Sequence, residues 1–531
     1  MAGADRGVGF AASLRGILEE VVVAENRFDY VIVGAGAAGC VLAHRLSADP
    51  AVRVALLEAG ERDKAQEIRI PAAFSKLFTT VYDWNYHTSK QSGLADRELY
   101  WPRGKTLGGS TSINAQMWLR GQRADYDGWD CPGWSYDEVL PYFTRAENPP
   151  MSISPLRTPH TLSMKFLAAC AEAGLPQEGN LNDASHAGYG LSPVTQRRGR
   201  RWSAADAYLR PAMRRPNLTV VTGALVERVD LDGDRATGVT YRESGAVKQV
   251  LADREVILSA GAVNSPQLLM LSGIGDGEQL RAAGVTPRHE LPAVGRHLQD
   301  HLASGLGVHC PAPITMVAAE SLPHVLRYLL LRKGMLSSNV AEAVAFVRSD
   351  PSVEAPDLEL IFAPVPFIDH GQTDPPGHGI TIGVVLLQPE SEGQITLGSS
   401  DPAAPPVIDP GYLAAEADTR RLVTGLKLAH RLLETEALRP FVGEPMEPWT
   451  GSVDDDSLAA HVRERAETLY HPVGTCRMGA GPDSVVDLEL KVHGLQGLRV
   501  ADASVMPRIN RGHTQAPAYM IGEKAADLIK G

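Results

Sequence analysis

The apolar run Tyr30-Val31-Ile32-Val33 shows no polar alternation and ends abruptly in small residues. Three of its four members are β-branched, which predicts a strand buried on both faces in a parallel sheet. Val41-Leu42-Ala43-His44-Arg45-Leu46 then reads as a helix. The turn between them carries Gly34, Gly36 and Gly39 in G-x-G-x-x-G order. The first glycine permits a tight turn, the second lets a pyrophosphate approach the backbone, and the third lets helix and strand pack closely. The helix N-terminus offers free N–H groups and partial positive charge to the phosphates. A second buried strand, Arg53-Val54-Ala55-Leu56-Leu57, ends at Glu58. A carboxylate there accepts hydrogen bonds from ribose hydroxyls and repels a 2′-phosphate. The pattern predicts a dinucleotide site.

Further along, residues 217–223, 224–229 and 255–261 read as strands, the last of them buried. Leu322 to Lys333 is an apolar helix candidate with basic residues. It predicts a packed helix of a second domain, with a lid over a substrate funnel or a membrane-surface helix as the open alternatives. Residues 356–400 read as strands broken by Pro and Gly, such as Gly379–Leu387 and Gln394–Leu397. They predict an antiparallel sheet with one face packed and one lining a cavity. No repeat or low-complexity linker divides the chain, so it is expected to cross between domains several times.

Length and composition narrow the classes. The 531 residues are 44% hydrophobic, enough for two domains. The net charge of −12 argues against a nucleic-acid partner. The basic run Arg197-Arg198-Gly199-Arg200-Arg201-Trp202 is therefore read as a solvated face beside a helix over Ser203–Leu209. Five scattered cysteines form no C-x-x-C, so neither a disulfide framework nor a thiolate metal site is expected, and a reducing cytoplasm fits. Cys476 is read as a buried, inert thiol. No run of eighteen apolar residues predicts a transmembrane span. Residues 1–27 carry Asp5, Glu19, Glu20 and Glu25 and are read as an N-terminal arm with an amphipathic helix over Leu14–Val23, not as a secretory signal.

A second glycine-rich loop, Gly104-Lys105-Thr106-Leu107-Gly108-Gly109-Ser110-Thr111-Ser112-Ile113-Asn114, is too polar for a core strand and lets backbone N–H groups approach another part of a ligand. Here the chain resembles the glucose–methanol–choline (GMC) oxidoreductases, FAD-dependent alcohol oxidases and dehydrogenases. One family pattern runs from Gly104 through Asn114, Trp118 and Gly121 to Asp127. A second is Gly261-Ala262-Val263-Asn264-Ser265-Pro266-Gln267-Leu268-Leu269, then Ser272-Gly273-Ile274-Gly275. A third opens at His471-Pro472-Val473-Gly474-Thr475-Cys476-Arg477-Met478-Gly479 and continues with Leu498-Arg499-Val500-Ala501-Asp502-Ala503-Ser504. The resemblance covers residues 28–529 and extends to bacterial choline dehydrogenase-like and aryl-alcohol oxidase-like enzymes.

The resemblance implies an α/β, Rossmann-like FAD-binding domain from residues 28–155, 218–310 and 480–531. It implies an α+β substrate domain with an antiparallel sheet from 156–217 and 311–479. FAD would lie along Gly34, Gly36, Ala37, Ala38, Gly39 and Glu58, then Gly104, Leu107, Gly108, Gly109, Ser110, Asn114 and Ala115. Val226, Asp502, Ala503, His513, Thr514 and Gln515 complete the implied set. Some choline-oxidising relatives attach FAD covalently through a His just before the Asn of the second loop. Ile113 stands there, so dissociable FAD is expected. His471 and His513 would stand at the flavin face, His471 as base and His513 as hydrogen-bond partner, with exchange of roles left open. An imidazole of ordinary pKa is largely neutral at pH 7 and can take a hydroxyl proton while hydride passes to flavin N5. His301, in Gln299-Asp300-His301, is as readily a packing residue.

Many choline oxidisers carry an active-site His where Ile361 stands, which favours a neutral primary alcohol, aliphatic or aryl. The product would be the aldehyde, and the electron acceptor O₂ or a quinone-like molecule. The alternatives are a hydroxynitrile lyase of the same family and a choline dehydrogenase. No metal is expected, and the sequence gives no oligomeric state.

Overall fold

The computed structural model describes residues 26–531 except Asn148, Glu178, Gly179, His186 and Asp374. The helix expected over Leu14–Val23 lies outside the described residues. The run around Ile32 is the strand Arg27–Val33, and its Val31 and Ile32 are wholly buried. It pairs in parallel with Val54–Glu58 on one side and with the C-terminal part of Ala246–Leu258 on the other. Leu218–Thr222 and Leu498–Val500 extend this parallel core at its two edges. The N-terminal part of Ala246–Leu258 instead joins an antiparallel meander with Arg235–Glu243 and Ala224–Asp232. One long strand therefore serves two pairings in a seven-stranded sheet.

The helix Ala37–Leu46 follows the first strand, as its pattern predicts. The closing helix Gln515–Lys530 lies against it so closely that a Cβ on Gly522 would stand 2.9 Å from the Ala38 Cα. Backbone contact at that range leaves room only for glycine.

The second sheet has six antiparallel strands in the order Glu467–Thr468, Leu302–His309, Gly379–Leu386, Leu358–Ala363, Ala343–Val347, Gly188–Leu191. Its strands come from four separated stretches of chain. Leu302–His309 pairs here with Gly379–Leu386, and Gly188–Leu191 pairs with Ala343–Val347 at the far edge. Along Leu302–His309 the alternation is plain: Leu302, Leu306 and Val308 are buried, while Ala303, Gly305 and Gly307 line a cavity. The period of two puts small residues on one face and large ones on the other. The amphipathic helix Glu416–Leu433 covers the packed face with Leu422, Leu426 and Ala429. The strand expected over Gln394–Leu397 forms at Gly393–Thr396 but belongs to a separate three-stranded sheet.

Two further expectations are corrected. The basic run 197–201 is not uniformly solvated: Arg197 and Arg198 are exposed, but Arg201 is buried. Its guanidinium donates to the carbonyls of Ile68 (2.8 Å) and Thr111 (3.2 Å) and to Asn114 Oδ1 (2.7 Å), which offsets part of the cost of burying the charge. The helix expected over Ser203–Leu209 is a π-helical turn, Ala205–Leu209, running into Arg210–Ala212.

Candidate active site

The two sheets share one cavity of about 630 Å³, well inside the range of small-molecule and cofactor sites. Its nucleotide end is built by both glycine loops. Gly34 has φ +99°, and a Cβ there would lie 2.5 Å from the Ser259 carbonyl oxygen. A Cβ on Gly39 would lie 1.9 Å from the Gly34 carbonyl oxygen, so the third glycine serves helix–strand packing and does not line the cavity. The loops meet: Gly108 N–H donates to the Ala35 carbonyl at 2.8 Å, and a Cβ on Gly109 would sit 2.8 Å from the Gly36 Cα. The helix after Gly36 has no side-chain cap and no acidic residue in its first turn. Its first N–H groups are thus left for an anion.

Glu58 accepts from Ala35 N–H on one oxygen and Gly60 N–H on the other, each at 2.8 Å. Each oxygen keeps a lone pair for a hydroxyl. Burial pushes its carboxyl up to about 7, against the pull of those two N–H donors. Asp502 is committed differently. It accepts from Gly261 N–H (2.9 Å) and Ser265 Oγ–H (2.6 Å), closing the N-terminus of the helix Gly261–Leu271. Asn114 is held on both sides, its Oδ1 by Arg201 and its amide by Gln515 Oε1. These groups fit a dinucleotide: two glycine turns in backbone contact, an uncapped helix N-terminus and a buried carboxylate at the end of the second strand.

Of the residues implied by the resemblance, Gly34, Gly36, Ala37, Ala38, Glu58, Gly104, Gly109, Ser110, Asn114 and Ala115 line the cavity, as do Val226, Asp502, Ala503, Thr514 and Gln515. Gly39, Leu107 and Gly108 lie behind its wall. His471 and His513 line it together, with ring centroids 4.7 Å apart and nearly perpendicular planes.

Sequence reasoning missed what holds those rings. The dipeptide Asp300-His301 supports His471 twice. Asp300 Oδ1 accepts the His471 backbone N–H at 2.6 Å, while its Oδ2 accepts Thr468 Oγ1–H at 2.6 Å and the Tyr412 hydroxyl. His301 Nδ1 lies 2.9 Å from His471 Nδ1, and His301 Nε2 lies 3.2 Å from the Leu387 carbonyl. A carbonyl can only accept, so His301 Nε2 carries its proton. Burial, then the nearby His513 charge, holds the His301 imidazole down at about 3, hence neutral. Its Nδ1 is then an acceptor, and His471 Nδ1 must donate. That fixes His471 with Nε2 unprotonated and, among the described residues, without a partner. Burial also holds the His471 imidazole well below the usual histidine range, with the charges of His513 and Arg103 adding to the effect. Tyr470 turns the chain at φ +70° just before His471.

His513 has a different neighbour. Its Nε2 lies 3.2 Å from both oxygens of Glu359, a wholly buried carboxylate in the strand Leu358–Ala363. Glu359 can compensate a positive charge on His513; no carboxylate touches the His471 ring among the described residues. Small and apolar residues of the six-stranded sheet, Ala303, Gly305, Ile361, Gly383 and Val385, line the cavity together with Phe74 and Phe78, while Arg97, Asp369, His461, Arg465 and Glu467 add charged and polar groups elsewhere on the wall. Cys476 is buried, and burial pushes its thiol well above the ordinary range, as expected of an inert cysteine. Among the described residues no cluster of His, Cys, Asp or Glu could hold a metal ion, and no helix is long and apolar enough to cross a membrane.

The N-terminal GMC oxidoreductase model matches residues 28–303 and the C-terminal model residues 389–522. An uncharacterised GMC-type oxidoreductase of Mycobacterium tuberculosis is 50% identical over 95% of this chain and 100% of its own. An alcohol dehydrogenase (acceptor) of Pseudomonas putida is 42% identical over 94% of this chain and 95% of its own. Among solved structures, pyridoxine 4-oxidase from Mesorbium loti superposes with a TM-score of 0.87 at 32% identity, over 94% of this chain and 98% of that one. With both family models matching most of its length, this chain belongs to the GMC oxidoreductases, an FAD-binding family of enzymes acting on CH–OH donors.

Proposed function

We propose that this enzyme oxidises a neutral primary alcohol, aliphatic or aryl, to the aldehyde. The observation that carries the reading is the oriented pair His471–His513 on the cavity wall, each ring held by a different buried partner. FAD, when bound, supplies the hydride acceptor. The residues that would hold it are Gly34, Gly36, Ala37, Ala38, Glu58, Gly109, Ser110 and Asn114. His471 Nε2 takes the hydroxyl proton. His513, backed by Glu359, holds the substrate oxygen and thereby fixes the carbon that gives up hydride. Ala303, Gly305, Gly383 and Val385 leave room for a neutral chain or ring, and choline is disfavoured because Ile361 stands where many choline oxidisers carry a His.

The attachment of FAD is read as non-covalent, because the position before Asn114 is Ile113, an alkyl side chain buried in the wall. The segments of the seven-stranded sheet are assigned to FAD and the six-stranded sheet to substrate. Electrons pass on to O₂ or a quinone-like acceptor. The cytoplasm is the assigned compartment, since all five cysteines are free thiols.

The test is to mix the yellow holoprotein anaerobically with a panel of primary alcohols, then denature it. Loss of flavin absorbance with aldehyde formation, and release of free FAD on denaturation, are the expected outcomes. Cleavage of mandelonitrile without any bleaching would replace this reading with the lyase. Flavin that stays with the denatured chain would overturn the non-covalent assignment.

A further inference from the structure

Among the described residues, seven of the twelve exposed large hydrophobic side chains lie in one stretch: Ile314, Val317, Leu322, Leu326, Leu329, Leu330 and Leu331. That clustering sets them apart from the scattered apolar residues of an ordinary surface. The helix Leu322–Leu331 buries only Tyr328. Leu322, Leu326, Leu329 and Leu330 follow i, i+4, i+7 and i+8, one helical stripe, and it faces outward, with Leu322 70% and Leu330 78% exposed. This corrects the expectation of a packed helix.

The structure brings a second unexplained motif to the same place. The turn between the strands Val194–Arg197 and Arg200–Arg201 abuts the C-terminal end of that helix: a Cβ on Gly199 would lie 2.2 Å from the Arg332 carbonyl oxygen and 3.2 Å from the Arg157 side chain. Arg157, Arg198, Arg200, Arg327, Arg332 and Lys333 therefore gather around one end of the leucine stripe. None of the six pairs with a carboxylate among the described residues, although exposed cations elsewhere in the chain, such as Lys248 and Arg123, do; Glu320, the one carboxylate of residues 314–333, pairs with Lys76 instead. In a chain of net charge −12 this is a local reversal of sign.

We infer that this face docks on an anionic lipid surface. Leucines on one side of a short helix with a rim of unpaired arginine and lysine form the pattern of an interfacial helix, apolar side in the acyl boundary and cations at the headgroups. An acidic headgroup complements the six cations; a second copy of the same face would oppose like charges. Met316, just before the helix, packs with Phe74, Phe78, Val340 and Ala363. Those four line the active-site cavity. The docking face is thus the outer side of the cavity wall.

The test is co-sedimentation of the holoprotein with phosphatidylcholine vesicles, with and without phosphatidylglycerol, at low and high salt. Binding to the anionic vesicles, weakened by salt, is expected. Leu326→Gln with Leu330→Gln should abolish it, and Arg198→Ser with Lys333→Ser should weaken it about tenfold or more. Flavin absorbance and oxidation of a water-soluble alcohol should stay unchanged in both variants. No sedimentation with anionic vesicles at low salt would overturn the inference, as would variants that bind like the parent. Light scattering that shows a dimer lost in the leucine variant, with no vesicle binding, would assign the face to a second copy instead.

Discussion

His471 depends on a chain of two fixed protons. The Leu387 carbonyl fixes the proton of His301, His301 fixes that of His471, and His471 is left with an open Nε2. His301 is thus a positioning residue, and replacing it tests the chain without touching the base. His301→Phe should retain FAD yet slow flavin reduction about tenfold or more, because the His471 ring loses the acceptor that sets its tautomer. Burial fixes the pH response. With His471 as the proposed base its neutral form is the active one, and burial lowers its affinity for a proton well below that of a free histidine. In the parent, kcat/KM should therefore hold level as pH falls to 6.5 and drop only at more acid values. In His301→Phe the acid limb should move, a shift that a merely structural role would not produce. A parent profile that falls between pH 8 and 7 would contradict this assignment.

Among the elements, those built from near neighbours in the chain were legible. The strand around Ile32, its glycine turn and Glu58 follow one another within a single βαβ unit, so spacing alone reports their roles. Gly39→Ala tests that unit. Its Cβ would meet the Gly34 carbonyl at 1.9 Å, forcing helix and strand apart. Purified protein should carry little FAD and melt at a lower temperature than the parent; full flavin content at an unchanged melting temperature would refute the packing role. Other elements were legible only in part. The spacing of Leu322 to Leu331 gives an amphipathic helix, but periodicity does not say which side faces solvent, and here the leucines do. The basic run 197–201 was read as one solvated unit. Arg201 departs from it because its partners, Ile68, Thr111 and Asn114, are far away in sequence and visible only once folded.

At the scale of the molecule, the active site is an assembly that no local pattern could disclose. His301, Glu359, His471 and His513 come from four distant stretches, two of them strands or strand ends of the six-stranded sheet. The histidines at 471 and 513 were found through family position. Glu359 was hidden in an apolar run, where one polar residue on a fully buried strand was the available signal, and His301 was read as equally suited to packing. The chain crosses repeatedly between its sheets, so the cavity lies where the glycine cradle of one meets the small-residue face of the other. The account stands on His471 as the base in that cavity. The most direct test is anaerobic rapid mixing of parent and His471→Ala holoprotein with an alcohol that reduces the parent. The variant should keep its yellow FAD and be reduced about 10²–10⁴-fold more slowly. Reduction of His471→Ala at the parent rate would contradict the account.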